Sequence, residues 1–326
     1  MIAQSMQAGA AMNQIQTKPV LLIALGGNAL IRKGQVGTVA EQFANLRLPV
    51  RQIAGLSLDH RLIITHGNGP QVGHLLLQQE CCDQGVKLPL EILVAQTQGQ
   101  IGYMIESTLD SALMELGIHD EKPFVSLLSY VVVDRNDPAF REPTKPIGPI
   151  YDQSQAARLP FPVRKTARGY RRVVASPKPI TIVEKREIAR LIAMDFIVIC
   201  CGGGGIPVIR DGRAFAGVDA VIDKDLASAR LALEVGVDLF VIATDVAGAA
   251  VHYGTDRERF LDRLSPAEAR RLLLQGEFPP GSMGPKIEAA VEFVEASGKR
   301  AVITGIDAIE AAVRGKAGTE VAATRA

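Results

Sequence analysis

Short apolar runs ending in glycine-rich loops, each followed by helical periodicity, recur along the chain. Val20 to Leu25 runs into Gly26-Gly27-Asn28, and Arg61 to Thr65 into His66-Gly67-Asn68-Gly69-Pro70. Phe196 to Cys201 leads to Gly202-Gly203-Gly204-Gly205, Leu239 to Ala243 leads to Thr244-Asp245, and Ala301 to Thr304 is the last run. Continuous apolar stretches of this length predict strands buried on both faces. Between them the spacing predicts helices near Val39–Leu56, Gln71–Gln84, Glu91–Leu116, Glu184–Met194, Asp223–Val235, Pro266–Gln275 and Pro285–Ser297. The alternation indicates an α/β protein with a mainly parallel sheet covered by helices on both faces. In such sheets ligands bind at the carboxyl ends of the strands, where these loops emerge.

Two segments break the alternation. Asp134 to Pro179 is rich in proline and arginine and too long for an ordinary connection, which predicts a small excursion or lid. Ile206 to Phe215 contains Asp211-Gly212 between apolar residues, the signature of a hairpin turn. Met1 to Thr17 has no basic region followed by an apolar run and reads as a loose extension.

A length of 326 residues suffices for one large domain or two lobes. With 47% hydrophobic and 22% charged residues the chain has an ordinary globular composition. A net charge of +1 gives no electrostatic reason to expect nucleic acid or an acidic membrane, and tryptophan is absent, which disfavours a base-stacking surface. The basic run Arg164 to Arg172 reads as a solvated or anion-facing loop. The four cysteines form two adjacent pairs, Cys81-Cys82 and Cys200-Cys201, so no C-x-x-C metal or redox spacing exists. Cys200 and Cys201 close an apolar strand as small buried hydrophobes. No apolar run approaches membrane-spanning length, and a cytoplasmic protein is expected.

The loops hold the candidate chemistry. A glycine pair after a strand lets backbone N–H groups approach a phosphoryl oxygen closely. Gly26-Gly27-Asn28 fits that role, as does Gly67-Asn68-Gly69, which opens a helix at Pro70; a tight turn is the plain alternative. Four consecutive glycines at Gly202 to Gly205 cost more conformational entropy than a turn requires, which favours a ligand-facing role there. There is no P-loop and no G-x-G-x-x-G after the first strand, which argues against P-loop NTPases and dinucleotide oxidoreductases. Three lysines stand in loops or at helix starts instead: Lys145 between prolines in Pro143 to Pro149, Lys224, and Lys286 after Pro285. Phosphoryl transfer needs positioning and positive charge over developing oxyanions, which such lysines supply.

Val221-Ile222-Asp223-Lys224-Asp225-Leu226-Ala227 is where an apolar run becomes a helix. Asp223 is the expected N-cap and Gly236 the expected stop. Lys224 sits where the helix dipole disfavours a cation, and adjacent helical residues point in different directions, so its flanking carboxylates are not expected to neutralise it side by side. A bound phosphate explains that lysine; a capped surface helix with a solvated lysine is the plain alternative.

Taken together, Leu25 to Ala29, Thr65 to Gly73, Pro143 to Pro149, Ser176 to Pro179, Cys201 to Pro207, Asp223-Lys224-Asp225 and Gly281 to Lys286 resemble the carbamate kinases, a branch of the amino-acid kinase family. The likeness spans roughly Val20 to Thr304, and Pro143 to Pro149 is its most specific part. It implies an open αβα sandwich with a small protruding subdomain at about 134–179, a carbamoyl-phosphate side at about 18–200, and a nucleotide side at about 201–326. It further implies a homodimer acting on small molecules, and reversible phosphoryl transfer between carbamoyl phosphate and ADP with Mg²⁺, in arginine-type or purine-type nitrogen catabolism.

By position, the resemblance puts Lys145 at the transferring phosphoryl group, Lys224 and Lys286 on nucleotide phosphates and the transition state, and Asp225 in charge of orienting lysines. Gly26, Gly27, Asn28, Gly67, Asn68, Gly69, Gly203 and Gly204 would hold the carbamoyl-phosphate side. Thr244, Asp245, Val246, Tyr253 and Met283 would surround the nucleotide. Many relatives place a lysine before the first glycine pair; here Leu25 stands there and Lys145 would replace it. Relatives also follow the Thr244 loop with bulkier or acidic residues where this chain has Ala247-Gly248-Ala249-Ala250.

Asp219 and Asp223 are weighed as Mg²⁺ ligands, but that ion commonly relies on substrate phosphates and water, so no protein metal cage is expected. His66 reads as a hydrogen-bonding scaffold, Asp134 and Asp137 as turn stabilisers, and Met104, Leu109 and Leu113 as core or dimer contact. Other readings are a different acyl-phosphate or nucleotide kinase of the same fold, and a catalytically idle sensor of carbamoyl phosphate or nucleotide.

Overall fold

The computed structural model describes residues 18–32, 34–81, 85–166 and 169–323; the expected N-terminal extension lies outside them. An eight-stranded sheet runs in the order Arg263–Leu264, Thr319–Val321, Arg300–Gly305, Leu239–Thr244, Val20–Leu25, Arg61–His66, Ile197–Ile199, Phe124–Ser126. Its central pairings are parallel, and Thr319–Val321 runs antiparallel to Arg300–Gly305. All six residues of Val20–Leu25 are buried because both faces are covered. Leu22 and Ala24 pack with the helices Lys185–Ala193, Lys224–Val235, Pro266–Leu274 and Met283–Ser297. Leu21, Ile23 and Leu25 face the other way, against Val39–Leu56, Leu90–Leu116 and Ile309–Val313. The architecture is therefore an open αβα sandwich, each fully buried aliphatic side chain contributing about 1.5–3 kcal/mol.

Local signals set the element ends. Thr38 and Glu41 form a reciprocal capping box at the start of Val39–Leu56. Leu90–Leu116 and Lys224–Val235 each stop at a left-handed glycine, Gly117 and Gly236. Pro70 occupies the first turn of Gly69–Glu80, which starts that helix two residues before the apolar pattern does. The expected hairpin is present: Ile206–Asp211 pairs with Ala214–Gly217, and Gly212 takes a φ of +59° in the turn. This hairpin belongs to a four-stranded sheet with Tyr130–Val133 and Pro179–Ile182.

The proline-rich excursion contains a three-stranded antiparallel sheet in the order Lys145–Tyr151, Gly169–Val174, Val163–Thr166. The basic run expected as a loop is thus largely strand, with Arg172 over the Phe161 ring at 4.7 Å; residues 167–168 lie outside the described part. Lys145–Tyr151 is an edge strand, the position where its prolines are tolerated. It is pinned to the Gly69–Glu80 helix. A Cβ at Gly73 would lie 3.1 Å from the Gly148 Cα, a tight approach that glycine eases, and Tyr151 Oη donates to Glu80 Oε2 at 2.7 Å. Ile147 and Val174 share a cluster with Val72, Leu76 and Val221. The small sheet is thereby set beside the carboxyl ends of the central strands.

Candidate functional site

A cavity of about 510 Å³ opens at those ends. Val20–Leu25 pairs with Arg61–His66 on one side and Leu239–Thr244 on the other, so their loops meet where the chain's direction of winding reverses. Gly26 N donates to Ala243 O at 2.9 Å, and Gly67 N to Leu25 O at 3.0 Å. Gly26, Gly27, Gly67, Asn68 and Gly69 all line the cavity. A side chain at Gly67 would meet Gly27 N at 3.2 Å and Lys224 Cδ at 3.3 Å, so glycine there lets the lysine stem lie against the loops. Asn28 belongs to the short turn Gly27–Ala29; its side chain lies outside the described part of the structure. The buried Asn68 donates to Thr97 Oγ1 at 2.9 Å.

The four-glycine run, expected to face a ligand, also answers to backbone shape and packing. Gly203, Gly204 and Gly205 all have positive φ, between +66° and +89°. A Cβ at Gly202 would collide with His66 Nε2, at Gly203 with the Asn68 amide, and at Gly205 with Val131 Cγ2; at Gly204 it would sit 2.5 Å from Ile222 O. Backbone shape and packing demand every one of them. Gly203 lines the cavity, whereas Gly204, expected as a substrate contact, is buried against Ile222.

His66 is a scaffold, as expected: it is buried, with Nδ1 3.1 Å from Gly67 O. Burial pulls its pKa down to about 4, and the Lys224 charge pushes the same way, so the ring is neutral at physiological pH.

The three lysines converge on the cavity through two carboxylates. Lys224 Nζ bonds to Asp225 Oδ1 and Lys286 Nζ to Asp225 Oδ2 at 2.8 Å. The expectation that Lys224 and its neighbour would not pair is therefore wrong. Both side chains stand in the unpaired first turn, and Lys224 has a stem long enough to bend back to the next residue. Asp225 is 3% exposed. Burial alone would raise its pKa, but the Lys224 and Lys286 charges hold it well below the usual carboxylate range. Burial lowers the Lys224 pKa. At Lys286 burial acts in the same direction, yet the Asp225 charge more than offsets it and the pKa is raised.

Asp223 caps the helix, its Oδ1 accepting from Asp225 N at 2.9 Å and Leu226 N at 3.4 Å. Its Oδ2 also accepts from Lys145 Nζ at 2.6 Å. The simple division, Asp223 for the cap and Asp225 for lysines, is thus corrected: each carboxylate holds lysine. Three ammonium groups against the two carboxylates they bond to leave N–H donors for an anionic ligand, while Asp245 and Glu277 bring further negative charge to the same cavity.

Thr244, Asp245, Val246, Tyr253 and Met283 line the same cavity. Thr244 Oγ1 donates to Asp245 Oδ1 at 3.1 Å. The small residues of the following loop answer to Thr319. A Cβ at Gly248 would lie 2.6 Å from Thr319 Oγ1, which accepts from Ala249 N at 2.8 Å and donates to Leu261 O at 2.5 Å. Sequence reasoning missed Glu277, Phe278 and Pro279, which complete this wall. The Pro279-Pro280-Gly281 turn before the Lys286 helix was the available signal. Among the described residues no helix is long and apolar enough to cross a membrane, and no group of three or more His, Cys, Asp or Glu is placed to hold a metal.

Residues 19–305 match the amino acid kinase family. The chain is 47% identical over 311 residues to the carbamate kinase of Thermococcus kodakarensis, covering 92% of this chain and 98% of that protein. It is 45% identical over 306 residues to the carbamate kinase of Haemophilus influenzae, covering 92% and 96%. The structure of carbamate kinase from Giardia lamblia bound to AMP-PNP superposes with a TM-score of 0.87 at 37% identity, covering 95% of this chain and all of that one. The chain belongs to the amino acid kinase family, in its carbamate kinase branch.

Proposed function

We propose that this protein is a carbamate kinase, transferring a phosphoryl group reversibly between carbamoyl phosphate and ADP with Mg²⁺. The observation that carries the reading is the convergence of Lys145, Lys224 and Lys286 on one cavity at the ends of the central strands. A β-phosphate oxygen of ADP attacks the phosphorus of carbamoyl phosphate. The bond from that phosphorus to the carbamoyl oxygen breaks, carbamate leaves with the electron pair, and ATP forms. Carbamate then decomposes to ammonia and carbon dioxide. The attacking oxygen is already anionic, so no side chain need accept a proton, which agrees with a neutral, buried His66.

In this reading the loops of Gly26, Gly27, Gly67 and Gly69, with Asn28, Asn68 and Gly203, hold carbamoyl phosphate; the Gly26 and Gly67 N–H groups bond to Ala243 O and Leu25 O, so the donors toward the ligand are the N–H groups of Gly27 and Gly69. Thr244, Asp245, Val246, Tyr253 and Met283 surround the nucleotide. Lys224 and Lys286 spread positive charge over the nucleotide phosphates, and Lys145 does so over the transferring group. Asp225 keeps the two buried ammonium groups charged and apart. The site suits Mg²⁺ carried by nucleotide phosphates: Asp223 and Asp225 are taken up by lysines, which leaves Asp245 and Glu277 as the other carboxylates lining the cavity, and either would hold the ion through water. Bound there, Mg²⁺ would neutralise phosphate charge.

A cytoplasmic homodimer completes the reading. Exposed Ile92, Tyr103 and Met114 on the Leu90–Leu116 helix are apolar surface that a second copy would cover. The test is ATP formation from carbamoyl phosphate and ADP with Mg²⁺, read by a coupled assay. Turnover that needs all three is expected; a folded preparation with no turnover overturns the proposal.

A further inference from the structure

The two oxygens of Asp223 face different parts of the molecule. Oδ1 is fixed by the amides of the first helical turn, Asp225 N and Leu226 N. Those bonds set the carboxylate plane, so Oδ2 stands at a defined point on the cavity wall. Lys145 reaches that point from the edge strand of the small sheet, a different element of the fold. Its side chain is 26% exposed against 13% for Asp223, so the pair lies at the rim. An ammonium on a flexible four-carbon stem samples many positions, and a charge-assisted bond to a fixed acceptor selects one. One of its three N–H groups is spent on Asp223, which leaves two for a ligand in the cavity that Lys145 lines.

We propose that Asp223 is the positioning residue for Lys145, holding its ammonium over the transferring phosphoryl group without touching that group itself. This rests on the phosphoryl-transfer reading. The helix-capping side of the residue can be separated from the positioning side, because asparagine caps a helix about as well as aspartate but has no charge to offer a lysine.

The experiment compares the parent with Asp223→Asn, Lys145→Ala and the double variant. Asp223→Asn is expected to lower kcat about 10- to 100-fold, the scale of a misplacement of about 1 Å, with KM for ADP shifted less than about 3-fold and thermal unfolding little changed. The double variant should be no slower than Lys145→Ala alone, because once the lysine is gone nothing remains for Asp223 to position. Unchanged kcat in Asp223→Asn, or losses that multiply in the double variant, overturns the proposal. Asp223→Ser, which also retains the cap, serves if the asparagine variant does not fold. Parent turnover tests the functional reading separately. A readout independent of activity is acetylation of Lys145 by acetic anhydride, followed by mass spectrometry: labelling should rise several-fold in Asp223→Asn, and equal labelling rates in parent and variant would contradict the proposal.

Discussion

Asp223 and Asp225 stand two residues apart at one helix start, yet they serve two differently built regions. Asp225 belongs to the body of the site, where both its oxygens are taken by lysines from the Lys224–Val235 and Met283–Ser297 helices and almost no solvent reaches it. Asp223, with a side chain 13% exposed, ties the body to the small sheet through one pair, whose lysine at 26% is the more exposed member. The physical consequence differs. Removing one member of a buried ionic cluster leaves uncompensated charge and costs about 3–5 kcal/mol, whereas a solvent-exposed pair is worth about 1 kcal/mol or less; the half-buried Lys145–Asp223 pair falls between the two. The body is therefore assembled with the fold, while the Lys145–Asp223 pair sets geometry at a smaller cost to stability.

The sharpest way to break this contrast is Asp225→Asn. It strands the Lys224 and Lys286 ammonium groups in the interior, and unfolding in urea should show a loss of about 3–5 kcal/mol together with loss of turnover. A loss below about 1 kcal/mol would show that the buried triad is not a structural unit. The Asp225 carboxyl titrates below its unfolded range, so its contribution is present above the unfolded pKa and is lost as pH falls through the folded value.

A smaller effect comes from His66 under the glycine loops. Its folded pKa of about 4 lies below the unfolded value, so between them the unfolded chain binds the extra proton and stability falls as pH is lowered. From pH 7 to pH 5 this amounts to about 2 kcal/mol. His66→Gln should flatten the pH dependence of the urea midpoint by about that amount, and an identical slope in both proteins would refute the buried neutral imidazole.

The local parts of this arrangement were legible in the sequence. Val20–Leu25 and Val39–Leu56 follow from their apolar spacing, Asp223 was readable as a cap, and Gly236 as a stop, because each depends on residues within a turn or two. Which strand-end loops meet at the cavity was legible as well, since such loops converge in this class of sheet, whereas Glu277, Phe278 and Pro279 were not. What depends on distant neighbours was not. The demand for glycine at Gly202 to Gly205 arises from His66, Asn68, Ile222 and Val131, which come from elsewhere in the chain. The edge strand Lys145–Tyr151 hides behind its prolines, and Phe124–Ser126 and Thr319–Val321 are too short to show a period. The second role of Asp223 could not be read at all, because its partner lies 78 residues away.

The most direct test of the division between body and rim is Lys145→Ala, with steady-state turnover and calorimetric ADP binding measured on the same preparation. The lysine of the small sheet is assigned to the transferring group and not to the nucleotide, so kcat should fall at least about 100-fold while ADP affinity stays within about 3-fold. Turnover equal to the parent's, or a loss confined to ADP affinity, would contradict that assignment.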